Sequence, residues 1–538
     1  MEKNLIAMAS EAQASYQSQI VAAKINGEIR DIQTPYTDTD TIDFIELDSS
    51  VGWSIYQRSV LFLLITAVDH LEKNAEVTAK FTVNKGLYCE IKRPNRAVDI
   101  HFIQEVESKM REMIAANLPI IKRSIPRQDA IELFRKQGRV GKVNLISALQ
   151  QPIISIYTCE DYVDYLYGPM LHETKDLGLF ALDHESDGVL IRTPDERTNG
   201  RIRERVNQPK FGSILAESKA WADILECRFI SDLNRLNKEN AIGELIRISE
   251  GLQEKRIAQI ADHISAHREH IRLILIAGPS SSGKTSFAQR LQVQLRVNGL
   301  RPIMISLDDY FLNREDTPLN EKGQYDYESL EALDTKLFNQ NMISLLAGHK
   351  VQIPRYNFIS GMREWKEDAF LSINDDQPII IEGIHGLNEY LTKDIPRINK
   401  YKIYISALTQ LNIDAHNRIP TTEVRFLRRL VRDYQFRGAK ALKSIRQWPD
   451  VREGEEKYIF PFQEDADVLF NSALIYEIGV LKKYAVPLLE EINCGEEGYT
   501  EARLILRFLQ YVDEIDAIDD IPNNSILREF IGKSVFFA

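Results

Sequence analysis

The chain has 538 residues, too many for one hydrophobic core, so two to four domains are expected. Its 67 lysines and arginines and 79 acidic residues give a formal net charge of −12, which excludes whole-chain charge as an argument for binding nucleic acid or an acidic membrane. The four cysteines are far apart and form no C-x-x-C pair, which argues against a disulfide framework or a zinc ribbon and fits a reducing compartment.

The first 19 residues are polar and carry acids, unlike a secretory signal. The longest apolar run, near residues 60–68, is shorter than a bilayer-spanning helix needs. We therefore expect a cytoplasmic protein with no membrane partner.

The N-terminal region reads as mixed helix and strand. Residues 20–25 and 28–32 predict two strands joined by Asn26-Gly27, a strong hairpin signal. The pattern over 53–71 predicts a helix, residues 77–92 predict further strand, and residues 99–117 predict an amphipathic helix.

This region resembles the N-terminal part of threonyl-tRNA synthetases over about residues 18–200. The resemblance lies in Ile25-Asn26-Gly27-Glu28, Gly86-Leu87-Tyr88, Asn117-Leu118-Pro119, Tyr162-Val163-Asp164 and Gly168-Pro169. It implies a TGS-like module followed by the second additional domain, which in the synthetases edits mischarged tRNA.

The editing domain of those synthetases uses a His-x-x-x-His helix and a later Cys-x-x-x-His. The matching positions here are Arg58, Phe62, Leu166 and Met170. None is a metal-binding or acid–base side chain, so we expect the fold to be retained without the editing chemistry.

Residues 225–270 predict a helical linker, and from residue 271 strands alternate with helical stretches at 329–347 and 409–447. Strands are predicted near 271–277, 301–307, 378–381 and 401–405. Such alternation predicts a parallel sheet covered on both faces, with ligands bound beyond the carboxyl ends of its strands.

The first of these strands runs into a glycine-rich loop that fits G-x-x-x-x-G-K-[ST], and a helical pattern follows it. The loop would place backbone N–H groups on phosphate oxygens, helped by the partial positive charge of the helix N-terminus. The predicted nucleotide-binding residues are Gly278, Ser280, Ser281, Ser282, Gly283, Lys284, Thr285 and Ser286. Lys284 would reach the β- and γ-phosphates, and the Thr285 hydroxyl would hold Mg²⁺.

Two further strands end in acids. Asp308-Asp309 follows a strand that we expect beside the glycine-loop strand, and Glu382 ends the next one. Phosphoryl transfer needs one carboxylate near a metal and one near the acceptor hydroxyl, and this pair meets both needs.

Five arginines lie within one predicted helix: Arg425, Arg428, Arg429, Arg432 and Arg437. Helical spacing puts Arg425, Arg429 and Arg432 on one face. Arginines closing over a transferring phosphoryl group would stabilise its charge, whereas the alternative is a solvated basic face.

Residues 270–472 resemble uridine kinases and, more widely, the phosphoribulokinase group. The shared motifs, in family order, are 278–286, 307–311, Lys322-Gly323-Gln324-Tyr325, 354–358, Arg363, 382–384 and 428–433. The resemblance implies that Asp308 is the general base for a nucleoside 5′-hydroxyl and that Glu382 helps hold Mg²⁺. It places Arg429, Arg432 and Arg437 in a lid, and it implies substrate contacts at Glu328, Tyr356 and Arg363.

Two positions depart from the uridine kinase pattern. The ribose-binding aspartate falls on Glu328, and the histidine expected to touch the pyrimidine is Gly361. We expect glycine to leave room for a different or larger base, so assignment to uridine or cytidine does not follow.

The predicted fold is an α/β P-loop kinase with a helix-covered parallel sheet, preceded by α+β TGS-like and editing-like domains. The predicted boundaries are 1–50, 51–225, 226–270 for the helical linker, 271–475 for the kinase and 476–538 for a helical extension without assigned chemistry. We expect an enzyme that uses ATP and Mg²⁺ on a nucleoside-like small molecule. An RNA-associated nucleotide-binding regulator and a kinase of a pentose phosphate or other hydroxyl compound stay open as alternatives, as does an oligomer.

Overall fold

The computed structural model describes residues 4–320, 323–366, 370–374, 376–409 and 411–537; Lys322 of the predicted motif lies outside these ranges. The helices are α1 Leu5–Ala12, α2 Ser50–Leu71, α3 Ile100–Ala115, α4 Arg127–Lys136, α5 Val140–Ala148, α6 Pro209–Ile224, α7 Ile230–Lys238, α8 Ile242–Ala266, α9 Lys284–Val297, α10 Thr335–Leu346, α11 Thr421–Arg437, α12 Ala441–Tyr458, α13 Glu477–Glu490, α14 Tyr499–Leu509 and α15 Arg528–Ile531.

Strands occur in both halves of the chain. They are β1 Ile20–Ile25, β2 Glu28–Asp31, β3 Ile42–Glu46, β4 Glu76–Val83, β5 Gly86–Lys92, β6 Ile121–Pro126, β7 Ile153–Cys159, β8 Tyr162–Asp164, β9 Ala181–Glu185, β10 Gly188–Arg192, β11 Leu273–Ala277, β12 Ile303–Ser306, β13 Val351–Gln352, β14 Arg355–Asn357, β15 Met362–Glu364, β16 Phe370–Leu371, β17 Ile379–Glu382, β18 Lys400–Ser406 and β19 Val468–Asn471.

The N-terminal half contains three antiparallel sheets, with strand orders β2-β1-β3, β4-β5-β10-β9 and β6-β7-β8. The predicted hairpin is present between β1 and β2, where Asn26 and Gly27 have φ values of 52° and 81°. Positive φ at both central residues is what a tight two-residue hairpin turn needs.

Helix α2 forms the core of this half. Ser49 caps it by accepting a hydrogen bond from the Gly52 N–H at 3.0 Å, and most of its side chains are buried. Among the described residues it is the one helix with the length and composition to cross a membrane, and 78% of its most apolar window is buried inside the protein. The sequence-based expectation considered only residues 60–68, whereas the helix has 22 residues.

The C-terminal half is built on a five-stranded parallel sheet of order β12-β17-β11-β18-β19, which confirms the predicted fold class. Strand β11 lies at its centre and is completely buried. Strand β17 separates β12 from β11, so the expectation that Asp308 follows a neighbour of the glycine-loop strand is wrong. Strand β19 had not been predicted.

The helices between β18 and β19 differ from the predicted stretch at 409–447. Helix α11 begins only at Thr421, and a loop around Gly438, with φ of 60°, separates it from α12. Glycine adopts this left-handed conformation without strain, which explains the break.

The C-terminal helices contact both halves. Helices α13 and α15 pack on α11, whereas Thr500 of α14 donates a hydrogen bond to the Gly27 carbonyl at 2.7 Å. Core side chains of α4 and α5 also share one apolar cluster with α8 and α9. The predicted domain boundaries stay predictions, and packing crosses them.

Candidate active site

The glycine loop joins the buried strand β11 to helix α9. A Cβ at Gly278 would collide with the Ile405 carbonyl, and Gly283 has φ of +83° at the helix N-cap, so both positions require glycine. The N–H groups of Lys284, Thr285 and Ser286 form the first turn of the helix, where intrahelical acceptors are missing.

The loop has the polar groups that a phosphate needs. Lys284 Nζ donates to the carbonyls of Gly278 at 3.0 Å and Pro279 at 3.3 Å, so the ammonium lies over its own loop. The hydroxyl oxygens of Ser281 and Ser282 are buried and have no hydrogen-bond partner among the described residues. Unpaired buried hydroxyls beside a lysine indicate a site for an anionic ligand.

Glu382 lies next to this loop at the end of β17. Its Oε1 accepts a hydrogen bond from the Thr285 hydroxyl at 3.3 Å, while its buried Oε2 accepts none from the described residues. Burial raises the pKa of Glu382 to about 7, against the opposing charge of Lys284. A hydroxyl and a carboxylate with a free oxygen fit a hard cation such as Mg²⁺.

Asp308 and Asp309 lie in a 3₁₀ turn, Leu307–Tyr310, rather than in a strand. The Asp308 side chain is accessible to solvent. Partial desolvation by the surrounding protein nevertheless raises its pKa, and the positive charge of Lys284 opposes this rise. Asp309 instead accepts the Tyr356 N–H at 3.3 Å. The two carboxylates therefore have different surroundings, although they are adjacent in the turn.

Three of the predicted arginines converge on Asp433, which separates them from the other two. Ion pairs link Asp433 to Arg429 at 3.3 Å, Arg432 at 2.9 Å and Arg437 at 3.4 Å. Arg429 also donates to the Ser280 hydroxyl at 3.0 Å, which brings this cluster to the edge of the glycine loop. Their lid role stays a prediction.

Arg425 and Arg429 both contact Ser280, as expected for residues on one face of α11, but Arg425 does not pair with Asp433. It is buried and forms a bidentate pair with Glu455 at 2.5 and 2.7 Å. Arg425 donates to the Ser280 carbonyl at 3.1 Å, and Glu455 accepts the Ser280 N–H at 2.9 Å. The pair therefore grips the backbone of the glycine loop.

Arg428 acts in the same way from the next turn of α11. It pairs with Glu477 at 2.6 Å and donates to the Ser281 carbonyl at 3.4 Å. Sequence reasoning missed Glu455 and Glu477 because neither belongs to a spaced motif.

The three predicted substrate residues have different surroundings. Burial raises the pKa of Glu328 to about 7, helped by Glu455 and opposed by Lys284 and Arg429, which places Glu328 beside the loop and arginines. The Tyr356 ring packs on Phe311 with centroids 5.5 Å apart.

The guanidinium of Arg363, by contrast, is engaged by protein. It pairs with Asp334 at 3.0 Å and donates to the carbonyls of Tyr310 and Phe311 at 3.2 and 3.0 Å. It therefore braces the turn that holds Asp308.

We had expected Gly361 to leave open space for the base, but the space beside it is filled. A Cβ at this position would lie 2.7 Å from the Arg314 guanidinium carbon, so the Arg314 side chain fills the room. Arg314 also donates to the Phe358 carbonyl at 3.3 Å.

Three of the four positions matched to the synthetase editing site are apolar and buried, although Leu166 also lines a cavity of about 630 Å³. Phe62, Leu166 and Met170 are buried in the apolar core of the N-terminal half. Arg58 donates to the Pro169 carbonyl at 2.7 Å.

A phosphate-binding loop at the centre of a parallel sheet, with carboxylates at the ends of two other strands, defines a P-loop kinase fold. Residues 273–477 match the Phosphoribulokinase / Uridine kinase family and form a domain of that family. Solved structures that align include a putative fructose transport system kinase from Silicibacter sp. TM1040 (15% identity, TM-score 0.26) and a possible uridine kinase from Bacillus stearothermophilus (20% identity, TM-score 0.25), each covering 40% of this chain and 98% of that chain.

The N-terminal region is similar to parts of threonine–tRNA ligases. It is 34% identical over 165 residues to that of Syntrophotalea carbinolica, which covers 30% of this chain and 26% of the ligase. It is 30% identical over 221 residues to that of Geobacter sp. (strain M21), which covers 41% of this chain and 34% of the ligase. The chain thus spans about a third or less of these relatives.

Proposed function

We propose that this protein transfers the γ-phosphoryl group of ATP to the 5′-hydroxyl of a nucleoside. One observation carries the proposal: two carboxylates lie at the same end of the parallel sheet as the phosphate-binding loop. Glu382 accepts a hydrogen bond from Thr285 of this loop at 3.3 Å, and Asp308 lies in the turn after β12, where the charge of Lys284 opposes the rise in its pKa. A protein that only switches between nucleotide states needs no acceptor base, whereas phosphoryl transfer does.

Asp308 is the proposed general base. Its carboxylate takes the proton of the acceptor hydroxyl, whose oxygen forms a bond to the γ-phosphorus while the bond to the β,γ-bridging oxygen breaks and ADP leaves. Lys284 and the loop N–H groups hold the phosphates, and Arg429, Arg432 and Arg437 supply positive charge around the transferring group.

Thr285 and Glu382 would hold Mg²⁺, because the free Oε2 of Glu382 and the Thr285 hydroxyl are oxygen donors beside the phosphate site. When bound, the cation neutralises charge on the β- and γ-phosphates.

We propose further that Arg314 selects the acceptor. The uridine kinase resemblance puts position 361 against the base, and the Arg314 guanidinium fills that space. A guanidinium only donates hydrogen bonds, so it favours a base with ring-edge oxygens over one with an amino group. We expect uridine and inosine to be better acceptors than cytidine and adenosine.

The test is a panel of nucleosides and pentose phosphates incubated with ATP and Mg²⁺, with each product identified by mass spectrometry and ³¹P NMR. A 5′-monophosphate formed from an oxo-base nucleoside supports the proposal. A phosphorylated pentose phosphate would move the acceptor class. No product from any acceptor, together with tight RNA binding, would favour the RNA-associated regulator.

A further inference from the structure

The C-terminal segment 523–532, which includes α15, packs directly on the glycine loop. Ile526 is fully buried, and its side chain occupies the space where a Cβ on Gly283 would project. The Phe530 ring lies under the Arg428 guanidinium at 5.1 Å, and Arg428 in turn holds the Ser281 carbonyl. The last residues of the chain are therefore part of the surroundings of the phosphate site.

Glu529 makes the closest polar contact from this segment. Its Oε2 accepts the Ser286 N–H at 3.2 Å and the Ser286 hydroxyl at 2.7 Å. These two residues are 243 positions apart in the chain. No motif in the C-terminal segment predicts this contact. Ser286 is the third residue of α9, whose first-turn N–H groups have no intrahelical acceptor.

These first-turn N–H groups are the ones that cradle nucleotide phosphates in a P-loop. A carboxylate bound at the Ser286 N–H occupies a position that a phosphate oxygen would need. Two anions cannot share one N–H donor and one hydroxyl at hydrogen-bond distance without strong repulsion. Glu529 also acts on the wider site, since its charge helps to raise the pKa of the nearby Glu382.

We infer that the Glu529 carboxylate competes with a nucleotide phosphate for the N–H and hydroxyl of Ser286. The C-terminal segment thereby lowers the affinity of the glycine loop for nucleotide. The inference rests on the proposed use of ATP. Binding ATP requires Glu529 to withdraw from Ser286, and any change that weakens this contact makes the cradle more available.

The test is isothermal titration calorimetry of the full-length protein with ATP and, separately, with inorganic tripolyphosphate. Glu529→Gln removes the charge but keeps the size, so the Kd for both ligands should fall roughly three- to tenfold. Ile526→Val loosens the same segment without touching the carboxylate and should lower both Kd values by a smaller factor. Glu514→Gln makes the same charge change at an exposed C-terminal position and should leave both Kd values unchanged.

The sign of the effect separates competition from a purely structural role. A Glu529→Gln protein that binds ATP as the wild type does, or more weakly, would show that Glu529 only caps the helix and would overturn the inference while leaving the proposed function standing. If Glu529→Gln does not fold, an unchanged or raised Kd in Ile526→Val overturns it. If neither the wild type nor any variant binds ATP, the proposed function and this inference fail together.

Discussion

Asp308 and Asp309 are adjacent but have different surroundings. The charge of Lys284 acts to lower the pKa of Asp308, whereas Asp309 accepts a hydrogen bond from the Tyr356 N–H. Asp308→Asn keeps the shape and removes the base, so turnover should fall by roughly 10²–10⁴-fold with little change in ATP affinity. Asp309→Asn is the matched control and should have the smaller effect. Steady-state kinetics and ATP titration of both variants check this; a larger loss of turnover at Asp309 would move the base by one residue.

Glu328 should make acceptor binding depend on pH. Because burial raises its folded-state pKa from 4.5 to about 7, the side chain is neutral below that value and ionised above it. An ionised carboxylate accepts a stronger hydrogen bond from a sugar hydroxyl, so the acceptor KM should fall by about fivefold between pH 6 and 8. Glu328→Gln should flatten this profile, and an unchanged profile in the variant would remove Glu328 from the acceptor site.

Residues that belong to short motifs, such as Lys284, Thr285 and Glu382, could be predicted from the sequence, and the structure places them side by side. The sequence did not reveal Glu455 or Glu529, because each meets the glycine loop from a helix more than a hundred residues away. It also failed at Gly361, since a missing side chain says nothing about which neighbour fills the space.

Helices α11 and α12 hold the glycine loop through one buried ion pair. Burial alone would raise the pKa of Glu455, but the charge of Arg425 lowers it below its usual value. This carboxylate is therefore ionised at neutral pH. Glu455→Gln leaves Arg425 buried without its counter-charge and should lower the free energy of unfolding by roughly 3–5 kcal/mol at pH 7.

The matched control is Glu497→Gln, which breaks the exposed pair with Arg446 and should cost about 0–1 kcal/mol. Urea unfolding measures both. Stability from Glu455 should decline as pH falls below 4.5, because the group must then be protonated in the unfolded chain and finally in the folded one. Equal losses in the two variants would contradict the bracing role.

Elements with strong local signals were predicted well, and those set by packing were not. The β1–β2 hairpin follows from Asn26-Gly27, and α2 from its apolar repeat. The start of α11 was placed too early because residues 411–420 also carry apolar side chains, which here pack as a loop against the N-terminal half. Strand order was not readable at all, because it depends on which strands pair in space.

At the scale of the whole molecule, a kinase-family domain is joined to a region similar to threonine–tRNA ligases. We predict that the N-terminal half has no aminoacyl-tRNA editing activity, because three of the four matched positions are apolar and buried in its core. The measurement is deacylation of mischarged threonine tRNA by the full-length protein, with an active editing ligase as the positive control. Hydrolysis above the protein-free rate would contradict the prediction.

Acceptor-dependent phosphoryl transfer at the glycine loop is measured most directly as ADP release by the wild type and by Lys284→Ala across the acceptor panel. Lys284 contributes charge to the phosphates and little to the core, so the variant should keep its melting temperature. We expect ADP release that requires both Mg²⁺ and an added nucleoside in the wild type and is abolished in Lys284→Ala. An ADP release rate that no added acceptor changes, or near-normal turnover in the folded variant, would contradict phosphoryl transfer at this site.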